Sequence, residues 1–179
     1  MMGDVSEKKI LMVVAQKDFR DEEFFDPRDV FEDVGITITV ASSTTKEAIG
    51  MLGGTVVPDI AISDVVIADY DAIVISGGGG SKEYLWNNVA LHELVLQAFE
   101  MEKVVAAICV SPVILAKAGI LEGKRATVFG DQASIAELEK AGAVYEDEDV
   151  IVVDYIITAR DPASAMKFGK AVLEALKKY

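Results

Sequence analysis

The run VVAAICVSP, at residues 104–112, places the only cysteine of the chain between a buried strand and the start of a helix. Residues 104–108 are uninterrupted apolar, a pattern typical of a strand buried on both faces of a parallel sheet. Pro112 suits the first turn of a helix, and the apolar residues 113–118 continue that helix to Gly119. Cys109 is therefore predicted to occupy a sharp strand-to-helix turn, which is the geometry of a nucleophile elbow.

Two interpretations of Cys109 follow from this position. A helix N-terminus stabilises a thiolate, which favours a reactive cysteine. The alternative is a purely structural role, because free cysteine is among the residues most often buried as a small apolar side chain. The residues around the cysteine must decide between the two.

Strands and helices are predicted to alternate along the whole chain. Asp26 is expected to cap the first helix, with Pro27 at its first position and Gly35 after its end. Strands are expected at 10–15, 36–41, 72–75, 104–108 and 127–129, a hairpin at the sheet edge within 50–57, paired strands at 150–153 and 155–158, and further helices at 89–101, 131–141 and 162–177. This order predicts one α/β domain over residues 1–179, a doubly wound, mostly parallel sheet flanked by helices.

Composition excludes several classes of function. The chain has 179 residues and a net charge of −13, without a basic patch, so nucleic acid is not an expected partner. The apolar runs are too short to span a membrane, and the polar N-terminus lacks a signal segment, so we expect a cytoplasmic protein that does not bind membranes. One cysteine and one histidine cannot form a Cys/His metal cage, and neither a metal nor a cofactor is expected.

Three features are predicted to meet at the carboxyl edge of the sheet, where such folds bind ligands. They are the elbow, the glycine run at 77–80 and the acidic loop at 16–23. The glycine run matches neither a Walker A loop nor a dinucleotide fingerprint; it is either a flexible loop or a source of backbone amides that face a developing oxyanion.

The acids of the loop, Asp18, Asp21 and Glu22, are by default solvated or cap the helix. A carboxyl beside a thiolate would behave differently, because a raised pKa would keep it protonated and able to donate a hydrogen bond to sulfur. The only histidine, His92, is expected in mid-helix at the surface or rim of the protein. A Cys-His-acid triad therefore lacks its base within this chain.

These residues resemble the ThiJ/PfpI superfamily, which includes PfpI-type intracellular proteases, glyoxalase/deglycase enzymes and the Parkinsonism-linked redox protein. Residues 106–123 are similar to its elbow, FRDEEFFDP at 19–27 to its acid loop, SGG at 76–78 to its oxyanion turn and TARDP at 158–162 to its C-terminal Ser-Arg-x-Pro segment. The resemblance implies a flavodoxin-like, class I glutamine amidotransferase-like fold and a homodimer or higher homo-oligomer. It assigns the nucleophile to Cys109, the acid to Glu23, the oxyanion amides to Gly77, Gly78 and Val110, and a supporting role to Arg160.

The departures from the family pattern lie in the site itself. PfpI-type members have a histidine directly after the nucleophile, where this chain has Val110, and Phe129 replaces a second histidine. The redox and deglycase branch has a small apolar residue after the cysteine, so Val110 places the chain nearer that branch. The acid that PfpI-type oligomers lend from a neighbouring subunit would align with Lys82 or Glu83, depending on the placement of a gap.

The sequence leaves several functions open. The first hypothesis is a stress-protective, glyoxalase/deglycase-like protein in which Cys109 and Glu23 act on small electrophiles such as methylglyoxal or peroxide. The second is a non-enzymatic redox sensor or stress-linked binding protein that uses oxidation of Cys109. The third is a scaffold in which the elbow persists because it packs well. A PfpI-type intracellular cysteine peptidase is the least supported activity, because no histidine follows the cysteine.

Overall fold

The computed structural model describes residues 4–179 and confirms an α/β fold around a mostly parallel sheet. The strands are β1 (Lys9–Val13), β2 (Lys17–Phe19), β3 (Thr37–Ser42), β4 (Ala48–Gly50), β5 (Thr55–Val56), β6 (Ile60–Ala61), β7 (Ala72–Ile75), β8 (Val104–Ile108), β9 (Arg125–Ala126), β10 (Val144–Tyr145), β11 (Val150–Val153) and β12 (Ile156–Ala159). The helices are α1 (Asp21–Glu32), α2 (Gly79–Tyr84), α3 (Val89–Glu100), α4 (Pro112–Lys117), α5 (Gln132–Lys140) and α6 (Ala165–Lys178). Single 3-10 turns lie at Ile62–Asp64, Ile67–Asp69 and Pro162–Ser164.

The main sheet has seven strands in the order β11-β12-β8-β7-β1-β3-β6. Neighbouring strands are parallel except for β11 and β12, which are paired as predicted and run antiparallel, with Val150 opposite Ala159. Every residue of β7 and β8 is buried, as is β1 after Lys9. Both faces of the central strands are therefore covered, which explains their uninterrupted apolar sequences.

The helices form two packed groups. Helix α1 packs against α6, where a Cβ on Gly169 would lie only 3.0 Å from the Cα of Pro27. Glycine thus permits the close approach of these two helices. Helices α3, α4 and α5 contact one another in turn. Among residues 4–179, no helix has the length and apolar character needed to cross a membrane.

The first helix departs from the prediction. It begins at Asp21 rather than at Asp26, so Pro27 lies inside the helix. Three acids in the first turn favour the earlier start, because negative charge is stabilised at a helix N-terminus. An interior proline leaves the carbonyl four residues earlier without its amide donor, and that carbonyl belongs to Glu23. The hydroxyl of Ser76 donates to it at 3.1 Å, which offsets the loss.

Two smaller elements also differ from the prediction. Strands β4 and β5 do form a hairpin, but β4 also pairs with β2, so the hairpin belongs to a separate three-stranded sheet. Residues 127–129 are not a strand, and β9 ends at Ala126. The amide of Thr127 donates to the side-chain Oγ1 of Thr158 at 3.0 Å, and the amide of Phe129 donates to the carbonyl of Cys109 at 2.7 Å. Neither bond continues a regular ladder.

Candidate active site

Cys109 lies immediately after β8 on the sharp turn that the sequence predicts. Its φ of +66° is in the left-handed region, which is rare for a residue other than glycine. The amide of Cys109 donates to the carbonyl of Ala159 at 2.9 Å, while its own carbonyl accepts the amide of Phe129. The backbone is therefore held on both sides, and the side chain is only 6% exposed. Strained backbone of this kind is often found at functional sites.

Glu23 is the acid that the structure brings to the cysteine. It lies in the first turn of α1, is completely buried, and its Oε1 accepts the amide of Gly77 at 3.0 Å. A Cβ on Gly77 would lie within 2.7 Å of both Oε1 and the Cβ of Cys109, so the acid and the cysteine flank this glycine. The second oxygen, Oε2, is buried without a hydrogen bond of good geometry among residues 4–179, which leaves it to interact with the thiol.

Burial dominates the protonation of Glu23. It raises the pKa of the carboxyl to about 8, although the thiol of Cys109, the amide of Gly77 and the positive charge of Arg20 each lower it. A carboxyl with this pKa holds its proton at neutral pH. Glu23 can therefore donate a hydrogen bond to sulfur or transfer a proton to a bound molecule.

The thiol of Cys109 is subject to the same burial. Burial and the negative charge of an ionised Glu23 raise its pKa, while the amides of Gly78 and Val110 lower it. The sequence pattern suggested that the helix N-terminus would lower this pKa, but α4 has only six residues and burial outweighs it. Because two adjacent buried anions are unfavourable, the pair retains at least one proton at neutral pH.

The glycine turn divides its tasks between neighbouring residues. The amide of Gly77 already binds Glu23, so Gly77 positions the acid. The amides of Gly78 and Val110 instead face the sulfur, where a developing oxyanion would need them. Gly78 has φ +102°, and a Cβ there would lie 2.4 Å from the amide nitrogen of Arg20. Only glycine fits this close approach.

A chain of buried serine hydroxyls behind the cysteine was missed by the sequence reasoning. The Ser81 and Ser111 Oγ atoms lie 2.7 Å apart, and Ser111 Oγ donates to the carbonyl of Ser76 at 2.7 Å. Since that bond uses the single proton of Ser111, Ser81 is the donor between the two hydroxyls. Ser76 in turn donates to the carbonyl of Glu23. Their only sequence signal is their position beside the elbow and the glycine run.

A pocket of about 270 Å³ opens over Cys109. Its walls include the apolar side chains of Met51, Val110, Phe129 and Pro162, and the charged side chains of Arg20, Lys82 and Asp131. Phe129 occupies this wall in place of the histidine that some family members have, and it is 39% exposed. The pocket can admit a small molecule to the sulfur.

Asp21 departs from the expectation that it is solvated or caps the helix. It is buried, and its two carboxylate oxygens accept the amides of Leu52 at 2.9 Å and Gly54 at 2.7 Å. The turn between β4 and β5 closes around it, because Gly50 and Gly54 have no side chain to clash with its carboxylate. Asp21 thus holds the hairpin that carries Met51 into the pocket wall.

Other candidate residues lie farther from the sulfur. The Arg160 guanidinium pairs with Asp147, Asp149 and Asp161, so it stabilises a surface segment rather than the pocket. His92 Nε2 is 2.7 Å from the carbonyl of Trp86, away from the pocket.

The two positions that could align with a neighbouring subunit's acid also differ. Lys82 lines the pocket and pairs with Asp131 at 2.6 Å, whereas Glu83 is exposed. Within residues 4–179, no three His, Cys, Asp or Glu side chains come together as metal ligands.

Comparisons with known proteins agree with this architecture. The chain matches the DJ-1/PfpI family model over residues 8–175. It is 55% identical over 170 residues to an uncharacterized protein of Methanocaldococcus jannaschii, covering 95% of this chain and 83% of that protein. The solved ThiJ/PfpI domain protein of Brachyspira murdochii has a TM-score of 0.91 and 32% identity, covering 97% of this chain and 99% of its own.

Two relatives carry names that suggest activities. A Bacillus subtilis protein named "Putative cysteine protease YraA" is 34% identical, covering 95% of this chain and 99% of that protein. The glutathione-independent glyoxalase DJR-1.2 of Caenorhabditis elegans is 27% identical, covering 96% of this chain and 90% of that protein. The family match, the fold and the elbow coincide over nearly the whole sequence, and the chain therefore belongs to the DJ-1/PfpI family.

Proposed function

We propose that this protein converts small reactive aldehydes, with Cys109 as nucleophile and Glu23 as the proton carrier. The observation that carries the proposal is the buried carboxyl of Glu23 beside the sulfur, with a pKa raised to about 8. The backbone amides of Gly78 and Val110 face the sulfur of Cys109. A relative named as a glutathione-independent glyoxalase adds support for this class of reaction.

The first step starts from the pair with a single proton: the thiol proton of Cys109 has passed to solvent, which leaves a thiolate beside a protonated Glu23. The Cys109 thiolate adds to the aldehyde carbon of an α-oxo aldehyde, forming the C–S bond and moving the carbonyl π electrons onto oxygen. The proton of Glu23 passes to that oxygen, while the two amides stabilise the charge as it develops. The products of this step are a hemithioacetal and a Glu23 carboxylate.

The carboxylate can then act as a base. It removes the hydrogen on the carbon that bears sulfur, which gives an enediol, and returns a proton to the neighbouring carbon. The hydroxyl proton on the first carbon passes to the oxygen of the second, so the first carbon is oxidised to a thioester as the second is reduced to an alcohol. The resulting thioester of a 2-hydroxy acid is hydrolysed by water, which releases the acid and restores the thiol. No external oxidant or cofactor is required, and addition of a thiolate to a carbonyl expels no poor leaving group.

A redox sensor is a second candidate that the same geometry favours. Peroxide would oxidise the sulfur to a sulfenic and then a sulfinic acid. Protonated Glu23 and the amides of Gly78 and Val110 would donate hydrogen bonds to the oxygens of the sulfinate. Peptide hydrolysis is less favoured, because the described pocket contains no imidazole to protonate the departing amine.

The test is lactate formation from methylglyoxal by the purified protein. We expect turnover that is lost in both Cys109→Ser and Glu23→Gln and retained in Asp29→Asn, which removes an exposed acid from the same helix. Casein should remain intact. Lactate formation that persists in Cys109→Ser would contradict the proposal, and a peroxide-derived sulfinate without turnover would favour the sensor.

A further inference from the structure

We infer that Arg20 binds the carboxylate of an anionic electrophile and so sets the substrate class of the pocket. The inference rests on the proposed function, since it concerns which molecules reach the sulfur. It names Arg20 as the specificity-determining residue and short aldehydes or similar electrophiles that carry a carboxylate as the ligands.

The position of Arg20 is fixed by its backbone rather than by its side chain. Its amide donates to the carbonyl of Gly77 at 2.9 Å, next to the residue that holds Glu23. Arg20 lines the pocket, and its side chain is 31% exposed. A substitution of the side chain therefore leaves the connection to the glycine turn in place.

Part of the Arg20 guanidinium has no hydrogen-bond acceptor in the described structure. Its Nε donates to Glu22 Oε2 at 2.9 Å, whereas neither terminal nitrogen, Nη1 or Nη2, has an acceptor within residues 4–179. Arg20 lines the pocket and Glu22 does not, so Arg20 is the member of this ion pair that a ligand in the pocket can meet. Two parallel N–H groups match the two oxygens of a carboxylate.

The charge of Arg20 acts on the reacting atoms. The positive charge of Arg20 lowers the pKa of Glu23, and the pKa of Arg20 is itself raised, first by the hydrogen bond to Glu22 and less by the negative charges of Glu23 and Cys109. Arg20 and Cys109 line the same pocket. The chain as a whole carries a net charge of −13 and should repel anions. Arg20, a cation with unused donors in the pocket of Cys109, is therefore an exception to the negative charge of the chain. Binding of a neutral aldehyde would not require such a cation.

The other cation of the pocket differs from Arg20. Lys82 Nζ is already bound to Asp131 Oδ2 at 2.6 Å, and it lies 5.3 Å from the centre of the Trp86 ring. The charges of Lys82 and Asp131 cancel within this pair, so we expect Lys82 to attract an anion much more weakly than Arg20 does. Lys82 is thus an internal control for the general effect of positive charge at the pocket.

Two alkylating reagents of similar size test the inference without any turnover. Iodoacetate carries a carboxylate and iodoacetamide a neutral amide, and both react with the thiolate of Cys109. The ratio of their rates cancels the thiolate fraction and reports recognition of the carboxylate alone. We expect iodoacetate to be favoured in the wild type, and the ratio to fall about tenfold in Arg20→Gln, with an intermediate value in Arg20→Lys.

Matched variants make each outcome decisive. Lys82→Met should change the ratio much less than Arg20→Gln, and Arg125→Gln, which removes an exposed arginine outside the pocket, should not change it. An unchanged ratio in Arg20→Gln, or an equal loss in Lys82→Met, would overturn the inference. Alkylation is measured independently of lactate formation. A wild-type protein that reacts preferentially with iodoacetate but forms no lactate would therefore contradict only the proposed function.

Discussion

Two pockets of the molecule differ in volume, in the burial of their side chains and in backbone geometry. The larger, about 580 Å³, lies between β11 and α6 and is lined by exposed or half-buried side chains such as Val152, Lys177 and Tyr179. The smaller, about 270 Å³, lies over Cys109, with a buried acid behind it and a left-handed backbone at the nucleophile. Volume alone favours the larger pocket. Buried ionisable groups and backbone strain instead favour the smaller pocket, which is the site of the proposed chemistry.

The largest effect is expected from a single methyl group placed in the small pocket's framework. In Gly77→Ala the new Cβ would lie 2.6 Å from Glu23 Oε1 and 2.7 Å from the Ile108 carbonyl oxygen, so the acid must move. We expect methylglyoxal conversion to fall by about 10²-fold or more, because small displacements of a catalytic group are costly. Steady-state kinetics of the purified variant would measure the loss.

Two controls connect this result to the comparison of pockets. Gly79→Ala adds the same methyl group where no atom lies within 4 Å and should retain activity. Glu174→Gln, in the wall of the larger pocket, should also leave the rate unchanged. A large loss of activity in Glu174→Gln would show that the larger pocket takes part in the reaction.

A second prediction concerns stability and its dependence on pH. The pKa of Glu23 rises from an ordinary 4.5 to about 8 on folding, so between these values the folded chain holds a proton that the unfolded chain releases. Stability should therefore fall as pH rises, by on the order of 3–5 kcal/mol across the whole interval at 1.36 kcal/mol per pKa unit. Glu23→Gln should remove this contribution and flatten the profile.

Urea unfolding of both proteins across this pH range would measure the difference, since every other titrating group is common to them. If the two profiles have the same slope, Glu23 is ionised in the folded protein at neutral pH.

A third prediction concerns the wall of the small pocket that Met51 supplies. Asp21→Ala removes both acceptors of the Leu52 and Gly54 amides and should destabilise the protein by about 1–3 kcal/mol. The exposed Asp18, in the same loop, provides the control as Asp18→Asn. Hydrogen exchange should accelerate at Leu52 and Gly54 in the first variant only. Unchanged exchange at both amides would show that Asp21 does not hold the hairpin.

The smallest effect is expected in the serine chain behind the sulfur. Ser111→Ala removes the hydroxyl that links Ser81 to the Ser76 carbonyl and should cost about 1–2 kcal/mol of stability. The matched change Ser134→Ala removes a buried hydroxyl that has no partner in the described structure and should cost less. Thermal unfolding of the two variants would rank them. A larger loss in Ser134→Ala would contradict the role of the chain.

The sequence predicted those parts of the site that local patterns encode. The apolar run ending at Cys109, the glycines after β7 and a glutamate four residues before Pro27 lie in one place because parallel strands end at one edge of the sheet. Periodicity also predicted α3, and two apolar runs predicted the paired strands β11 and β12, all within two residues at each end.

The failures have a common physical cause, which is tertiary hydrogen bonding that overrides local propensity. Pro27 predicted a helix start, but the Ser76 hydroxyl binds the carbonyl that this proline leaves free. Asp21 was expected in solvent or at a helix cap, but two amides from a hairpin about thirty residues away bind its carboxylate. No local pattern at Pro27 or Asp21 announces these partners, because each comes from a distant segment of the chain.

The left-handed backbone at Cys109 has an evolutionary consequence. A side chain at φ +66° costs on the order of 1 kcal/mol that glycine would avoid, so the fold alone would prefer glycine at this position. Where thermal stability is selected and chemistry is not, we therefore expect Cys109→Gly to be favoured, which would remove the proposed nucleophile. Under the proposed function, the cysteine exchanges stability for reactivity, and we expect a lineage to retain it only while that reactivity is needed.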